Sequence, residues 1–429
     1  MGSSNGHKTL AVGKVIWRED LYPRFNSDAE TILRYAESLE QLPPITVNQR
    51  GELIDGYHRW TAHKKVGVAE VPVTVTETKS DAHLLELAIE SNAKHGLQLK
   101  REEKRNLAVK LYSTGQVKDK KRLQNMLGIG KSALAEWLQD TDRAERERRD
   151  QRIRDMWLAC YTQEEIAEAV ELDQRSIGRK IQELGNFPNL EKRLKVRALH
   201  EEDDWKPPFS DIWSFTSNSN TTTHFGNTDG RILDNLLYLY TEPFDIVVDP
   251  CVGGGTTIDV CKNRSRRYWV SDRLPVIERG DIRQHDIADG PPPLNRRWSE
   301  VSLVYLDPPY WKQAEGRYST DPEDLANMSL EDFYTTLVTF IRGCASKMPG
   351  GSTIALIIQP TQWKAPNREV VDHIIDLIMR VDNKKVQYKR RFSCPLSAEQ
   401  FTPPMRAWAI ENKQLLVRNR ELIIWRVVK

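Results

Sequence analysis

Among its 429 residues the chain has no apolar run approaching the ~20 residues that a membrane-spanning helix needs. Its start, Met1-Gly2-Ser3-Ser4-Asn5-Gly6-His7, lacks the basic and apolar regions of a signal peptide, and residues 1–9 read as a flexible leader. A charge excess is lacking too: 63 Lys and Arg stand against 61 Asp and Glu, a net +2. Any basic surface for a polyanion must therefore be local. Five cysteines (Cys160, Cys251, Cys261, Cys344, Cys394) are scattered without metal-ligand spacing. That argues against a disulfide framework and against a metal site, and fits reduced thiols in the cytoplasm. A hydrophobic share of 39% with 29% charged residues suits a globular chain. Its length predicts two or three domains.

Residues 10–80 mix short strands and helices. Val12 to Trp17 is a predicted strand. Ile32, Leu33, Tyr35, Ala36 and Leu39 have helical spacing until Pro43-Pro44 stops them. Ile45-Thr46-Val47 is a strand, Ile54-Asp55-Gly56 leads into a helix from Tyr57, and Val71 to Val75 closes the unit. This order, with Ile54-Asp55-Gly56-Tyr57-His58-Arg59-Trp60-Thr61-Ala62, resembles the N-terminal domain of ParB-like partition proteins and the sulfiredoxin-like superfamily. The resemblance implies a nucleoside triphosphate at Gly56, His58 and Arg59, where a helix start meets a nucleotide phosphate. Free N–H groups there, with two basic side chains, make an anion site. The alternative is that His58 and Arg59 only brace the turn. Tyr57-His58 stand where the partition proteins usually carry an acid and a basic residue, which does not support triphosphate hydrolysis.

Residues 81–185 read as helical and strongly charged. Leu123 to Leu138 reads helix, glycine turn, helix, with Lys131 and Ser132 opening the second helix. After the run Arg143 to Asp150, whose alternating signs mark a solvated helix, the grammar recurs. Thr162 and Glu165 form a capping box, and Leu172 to Ile181 supplies a turn and a second helix. Two helix-turn-helix units are predicted, with Lys131, Ser132, Gln174, Arg175, Arg179 and Lys180 facing double-stranded DNA. The bland alternative is a helical spacer. Residues 186–209 carry Pro188, Pro207 and Pro208 around an acidic run and are the predicted linker.

The remainder, 210–429, alternates strands and helices. Phe244 to Asp249 is a predicted strand, Pro250 to Thr257 a glycine turn, and a helix follows. Such a turn can hold a dinucleotide, a phosphate or S-adenosylmethionine. No Lys-Ser/Thr pair follows its glycines, which excludes a P-loop there. A second strand ends at Asp272, about 20 residues on, where an acid meets ribose hydroxyls in doubly wound folds, and Asp286 is placed for an adenine edge. Asp249-Pro250-Cys251-Val252-Gly253-Gly254-Gly255-Thr256-Thr257 resembles the methionine-binding motif of the amino methyltransferases, with Cys251 in place of phenylalanine. The resemblance implies S-adenosyl-L-methionine held by Asp249, Cys251, Gly253, Gly255, Thr256, Thr257, Asp272 and Asp286. The segment Asp211 to Tyr240, with His224 and Gly226, resembles the part that closes over the cofactor.

Val301 to Tyr305 reads as a buried strand, and Leu306-Asp307-Pro308-Pro309-Tyr310-Trp311 follows. Two prolines forbid further ladder or helix, leaving a stiff acidic loop at a strand end. A carboxylate beside a backbone carbonyl accepts two amino protons, and a ring two or three residues on can stack on a base. Asp307-Pro308-Pro309-Tyr310 resembles the catalytic motif of DNA amino methyltransferases. The resemblance implies methylation of adenine N6, or of cytosine N4, in DNA. Only about 50 residues separate the glycine turn from this loop, too few for an inserted recognition domain. Base selection then falls to the helix-turn-helix units or to a basic strip near Lys389 and Arg390, which reads equally as an edge strand with protective lysines. The predicted architecture is multidomain: a small α+β ParB-like domain, a helical region, and a C-terminal α/β Rossmann-like methyltransferase domain, acting on duplex DNA as a homodimer. Two alternatives stand beside it: a nucleotide-switched DNA-binding regulator with a vestigial C-terminal domain, and a methyltransferase for RNA or protein.

Overall fold

A computed structural model describes residues 8–19, 21–23, 28–94, 99–185, 208–215, 228–276, 278–362, 370–396 and 401–429. The chain divides into two compact units, Met1–Arg148 and Arg149–Lys429.

In the first unit, strands β1 (Lys8–Ala11), β2 (Ile45–Val47), β3 (Leu53–Asp55) and β4 (Glu70–Val75) form a sheet in the order β1-β4-β2-β3. β2 and β4 run parallel, and the other pairs antiparallel. Helices α1 (Ala29–Ala36) and α2 (Tyr57–Val66) belong to this part. Val47, Leu53, Trp60, Val71 and Val73 fill its core. Lys8 and Thr9, placed in the leader by the sequence, are paired with Val73 and Pro72. Val12–Lys14 is a single 3-10 turn where a strand was expected, with Val12 buried. Helices α3 (Asp81–Lys94), α4 (Arg101–Ser113) and α5 (Lys120–Leu127) follow. Gly128 turns at φ 58° into α6 (Lys131–Leu158), a helix of 28 residues that crosses the division between the units.

The expected helical region 81–185 runs across this division. Its second hairpin, α7 (Gln163–Ala169) and α8 (Gln174–Gly185), lies in the C-terminal unit. The reason is burial. Leu158, Ala159 and Cys160 share cores with the large sheet, and the Trp157 ring lies 4.9 Å from that of Phe244. Arg283 donates to the Ala159 carbonyl at 2.9 Å. The expected capping box at Thr162 and Glu165 is present.

The rest of the second unit contains helix α9 (Gly230–Tyr240), strand β5 (Ile246–Asp249), helix α10 (Thr256–Asn263) and strands β6 (Arg267–Asp272), β7 (Arg283–Gln284) and β8 (Val301–Leu306). Helix α11 (Leu330–Lys347), strand β9 (Thr353–Ile358), the short strands β10 (Thr361–Gln362) and β11 (Val370–Val371), and helix α12 (Ile374–Val381) come next. Strand β12 (Val386–Ser393), helix α13 (Pro403–Glu411) and strand β13 (Glu421–Val427) close the unit. The helix expected from Val370 therefore begins at Ile374, because Val370 and Val371 pair with Gln362 and Thr361.

Among the described residues the large sheet has seven strands in the order β12-β13-β9-β8-β5-β6-β7. Five are parallel; β13 and β12 add antiparallel at one end. Along β8, Val304 and Leu306 enter one core while Leu303 and Tyr305 enter the other, the period of two that a strand covered on both faces requires. Helix α11 buries Phe333, Leu337, Phe340, Ile341 and Cys344 against the first core, and α9 buries Ile232, Leu233, Leu236 and Leu237 against the second. Strand order reverses between β5 and β8. That switch point opens a crevice at the strands' C-terminal ends.

Candidate active site

Three neighbouring parallel strands, β8, β5 and β6, end in or just before an acid: Asp307, Asp249 and Asp272. Asp249 is buried and folds the glycine turn. Its carboxylate accepts from Cys251 N at 3.0 Å and from Thr257 Oγ1 at 2.5 Å. Burial pushes its carboxyl up to about 7. Asp272 fastens the same turn from the next strand, accepting from Gly253 N and Leu274 N, each at 3.0 Å. Gly255 sits at φ 93°, a conformation open to glycine, and starts α10. Thr256 Oγ1 is buried and, among the described residues, has no hydrogen-bond partner.

These residues border one cavity of about 340 Å³. Of the expected cofactor residues, Asp249, Cys251, Gly253, Thr256, Thr257, Asp272 and Asp286 line it; Gly255 shapes the turn behind it. Asp286 is partly committed: Oδ1 accepts from Ala288 N at 2.9 Å, and Oδ2 pairs with Arg273 Nε at 3.0 Å. Arg273 also pairs with Asp321, and with Asp324 at 3.8 Å, so it ties the polar loop after Trp311 to the end of β6. Asp229, Asp307, Glu323 and Asp324 add acids to the lining, against Arg273 and Arg317. A cation that carries hydroxyl groups suits such a lining, and a polyphosphate does not.

Asp307 and Pro309 line the cavity as well. Burial pushes the Asp307 carboxyl up to about 6, opposed by hydrogen bonds from Thr228 and Tyr310 and by the charge of Arg420. Tyr310 does not line the cavity; its ring packs against the core and its hydroxyl lies 3.4 Å from Asp307 Oδ1. Trp311 is buried, with Nε1 donating to the Met328 carbonyl at 3.0 Å and its own carbonyl accepting from Thr361 Oγ1 at 2.6 Å. These bonds immobilise the end of the double-proline loop. The sequence did not single out Thr228, Arg273 or Arg420. It placed Arg317 and Tyr318 in a polar loop without a role, and both line the cavity. His224, Gly226, the linker 186–207 and residues 1–7 lie outside the described residues.

The expected DNA-contacting residues divide. Lys131, Ser132, Arg175, Arg179, Lys389 and Arg390 are exposed. Gln174 is exposed and donates to Glu164 at 2.7 Å. Lys180 is turned to Asp150 at 2.7 Å. Gln174, Arg175 and Arg179 border an open groove between α7 and α8. Lys389 and Arg390 lie on β12, the edge strand, where Gln387 through Arg391 are all exposed.

In the first unit Gly56 adopts φ 101°, and a Cβ there would meet Ile45 Cγ2 at 2.8 Å. Arg59 reaches Asp55 at 2.7 Å and donates to the carbonyls of Pro43 at 3.0 Å and Pro44 at 2.7 Å. His58 Nε2 accepts from Asp28 N at 3.0 Å. Both side chains hold the turn of this domain to neighbouring chain.

Residues 14–274 match the family model for N6 and N4 methyltransferases described as DNA methylase. This is more than half of the chain, and the chain belongs to that DNA methylase family. The match includes the glycine turn and Asp272 and ends before Asp307. The chain is 28% identical over 101 residues to the type II methyltransferase M.BamHI of Bacillus amyloliquefaciens, covering 24% of this chain and 22% of that protein. It is 29% identical over 128 residues to the transcriptional regulator NovG of Streptomyces niveus, covering 29% of this chain and 39% of that protein. Each match thus spans well under half of the curated relative's length. Among solved structures, TrmN from Thermus thermophilus aligns with 16% identity and a TM-score of 0.29, over 48% of this chain and 50% of that one.

Proposed function

We propose that this protein transfers a methyl group from S-adenosyl-L-methionine to the exocyclic amino group of a base in duplex DNA, adenine N6 ahead of cytosine N4. The observation that carries the reading is the pairing of Asp249 and Asp307 across the switch point. One acid organises the glycine turn, the other opens the Asp-Pro-Pro-Tyr loop, and both border the same cavity.

The acid lining suits the cofactor's ammonium and sulfonium charges, and Thr256 Oγ1 offers an unused hydroxyl. When bound, S-adenosylmethionine supplies an electrophilic methyl group. The chain's own part is placement. Asp307, ionised, accepts a hydrogen bond from the amino group of a base turned out of the duplex, and the Pro308 carbonyl accepts a second. This aims the nitrogen lone pair along one line, and such positioning supplies much of the rate. As the N–CH3 bond forms the S–CH3 bond would break to leave the neutral thioether, and one amino proton is then lost. Asp307 in the motif's first position favours adenine by resemblance to the amino methyltransferases. Exposed Lys131, Ser132, Gln174, Arg175, Arg179, Lys389 and Arg390 are the proposed DNA contacts, and Lys180 is left out because it is paired with Asp150. For Gly56, His58 and Arg59 we infer a bracing role in the N-terminal domain, supported by the three bonds of Arg59. A second reading, a DNA-binding regulator, draws support from the NovG match. Transfer of labelled methyl to DNA separates the two: the first reading expects it and expects Asp307→Ala to abolish it while cofactor binding persists.

A further inference from the structure

We propose that Arg420 is a positioning residue for the methyl-accepting loop, acting on Asp307 through the hydroxyl of Thr228; this rests on the methyl-transfer reading above. Arg420 immediately precedes β13, far in sequence from the motif it serves, and its side chain is buried. Nη1 donates to Thr228 Oγ1 at 3.0 Å and Nε donates to the Cys394 carbonyl at 3.2 Å. The Arg420 carbonyl in turn accepts from Cys394 N at 2.8 Å, so the backbone beneath the guanidinium is fixed by the β12–β13 pairing. The Tyr310 hydroxyl lies 3.4 Å from Asp307 Oδ1, and Thr228, Tyr310 and the charge of Arg420 all act to lower the Asp307 carboxyl against its burial.

The chemistry of the donors gives this arrangement a direction. A guanidinium has donors and no acceptor. The Thr228 hydroxyl, which receives a hydrogen bond from Arg420, keeps its own proton to donate, and Asp307 borders the same cavity as Thr228. With Tyr310 donating as well, the carboxylate accepts twice. An ionised carboxylate can do so and still keep lone pairs for an amino group, whereas a protonated one loses acceptor capacity. Arg420 thus orients the Thr228 hydroxyl, which with Tyr310 holds Asp307 in the form and rotation that an amino group needs. Its positive charge opposes the burial that raises the Asp307 carboxyl.

The other titratable groups near Asp307 are Asp249 on β5, Tyr305 on β8, Cys251 in the glycine turn, Tyr318 in the polar loop and Cys394 after β12. The tyrosines and cysteines are raised by burial and stay neutral near pH 7. Asp249 titrates in the same range as Asp307, but its hydrogen-bond partners are Cys251 N and Thr257 rather than Arg420.

The test is the pH profile of single-turnover methyl transfer to duplex DNA by the full chain, with cofactor affinity measured in parallel. Arg420→Gln and Thr228→Val are compared with wild type. Both variants are expected to move the acidic limb of the profile upward, Arg420→Gln by about one pH unit, with cofactor affinity within about twofold of wild type. A uniform loss at every pH with an unmoved limb would mean a purely structural role and overturn the proposal. Should Arg420→Gln fail to fold, Thr228→Val decides by the same limb. Wild type that transfers no methyl to DNA sinks the methyl-transfer reading and this proposal together. Active wild type with unmoved limbs sinks this proposal alone.

Discussion

The hydroxyl of Tyr310 lies 3.4 Å from Oδ1 of Asp307, and the Tyr310 ring packs against the core outside the cavity lining. In this position the Tyr310 hydroxyl can support the acid beside it, whereas the sequence predicts base stacking for the ring. Tyr310→Phe keeps the ring and removes the hydroxyl. It is expected to lower the single-turnover rate about three- to tenfold with little change in DNA affinity, as loss of one hydrogen bond would. A platform for base stacking would instead tolerate phenylalanine.

Burial raises both switch-point acids, Asp249 from the ordinary 3.8 to about 7 and Asp307 to about 6. Each therefore binds its proton more tightly in the folded chain than in the unfolded one. The stability they contribute is complete below the ordinary carboxylate range and is lost as pH rises through 6 to 7. Thermal melts of the ligand-free protein are expected to fall in midpoint across that interval, and Asp249→Asn to flatten the fall. Methyl transfer runs the other way, rising with pH as Asp307 ionises.

Arg175 and Arg179 are exposed beside the α7–α8 groove, whereas Lys180 is held by Asp150 at 2.7 Å. Arg175→Ala and Arg179→Ala are expected to weaken DNA binding and each to reduce the slope of log affinity against log salt by about 1. Lys180→Ala should leave that slope unchanged. Fluorescence anisotropy across a salt series checks both.

Arg59 bonds two proline carbonyls and Asp55. Arg59→Ala is expected to destabilise the N-terminal unit by about 1–3 kcal/mol. Melting the full chain with and without CTP or ATP tests this role: nucleotide should shift neither protein. A nucleotide-dependent rise in wild type that is lost in Arg59→Ala would instead support the phosphate site.

The parts of the site carried by consecutive residues were legible in the sequence. Asp307-Pro308-Pro309-Tyr310 and the glycine turn declare themselves because a strand end, a stiff turn and an acid must be neighbours in the chain. Thr228, Arg273 and Arg420 could not be read that way. Each is a single ordinary residue contributed by a different segment, Thr228 and Arg273 at the cavity and Arg420 behind Thr228, and only the tertiary fold places it. The division at Arg148 was hidden for a related reason. The charged helical pattern of α6 continues through it unbroken, and the burial of Leu158 and Cys160 against the sheet is a long-range fact. The ion pair of Lys180 with Asp150 was likewise out of reach of helical periodicity, since the two residues are 30 apart in the chain.

The most direct measurement is modified-base sequencing of duplex DNA incubated with S-adenosylmethionine and either wild type or Asp307→Ala, with cofactor affinity determined for both. The account expects N6-methyladenine at a defined sequence with wild type, none with Asp307→Ala, and cofactor affinity within about twofold between them. Methylation that survives in Asp307→Ala, or wild type that binds the cofactor and methylates no DNA, would contradict it.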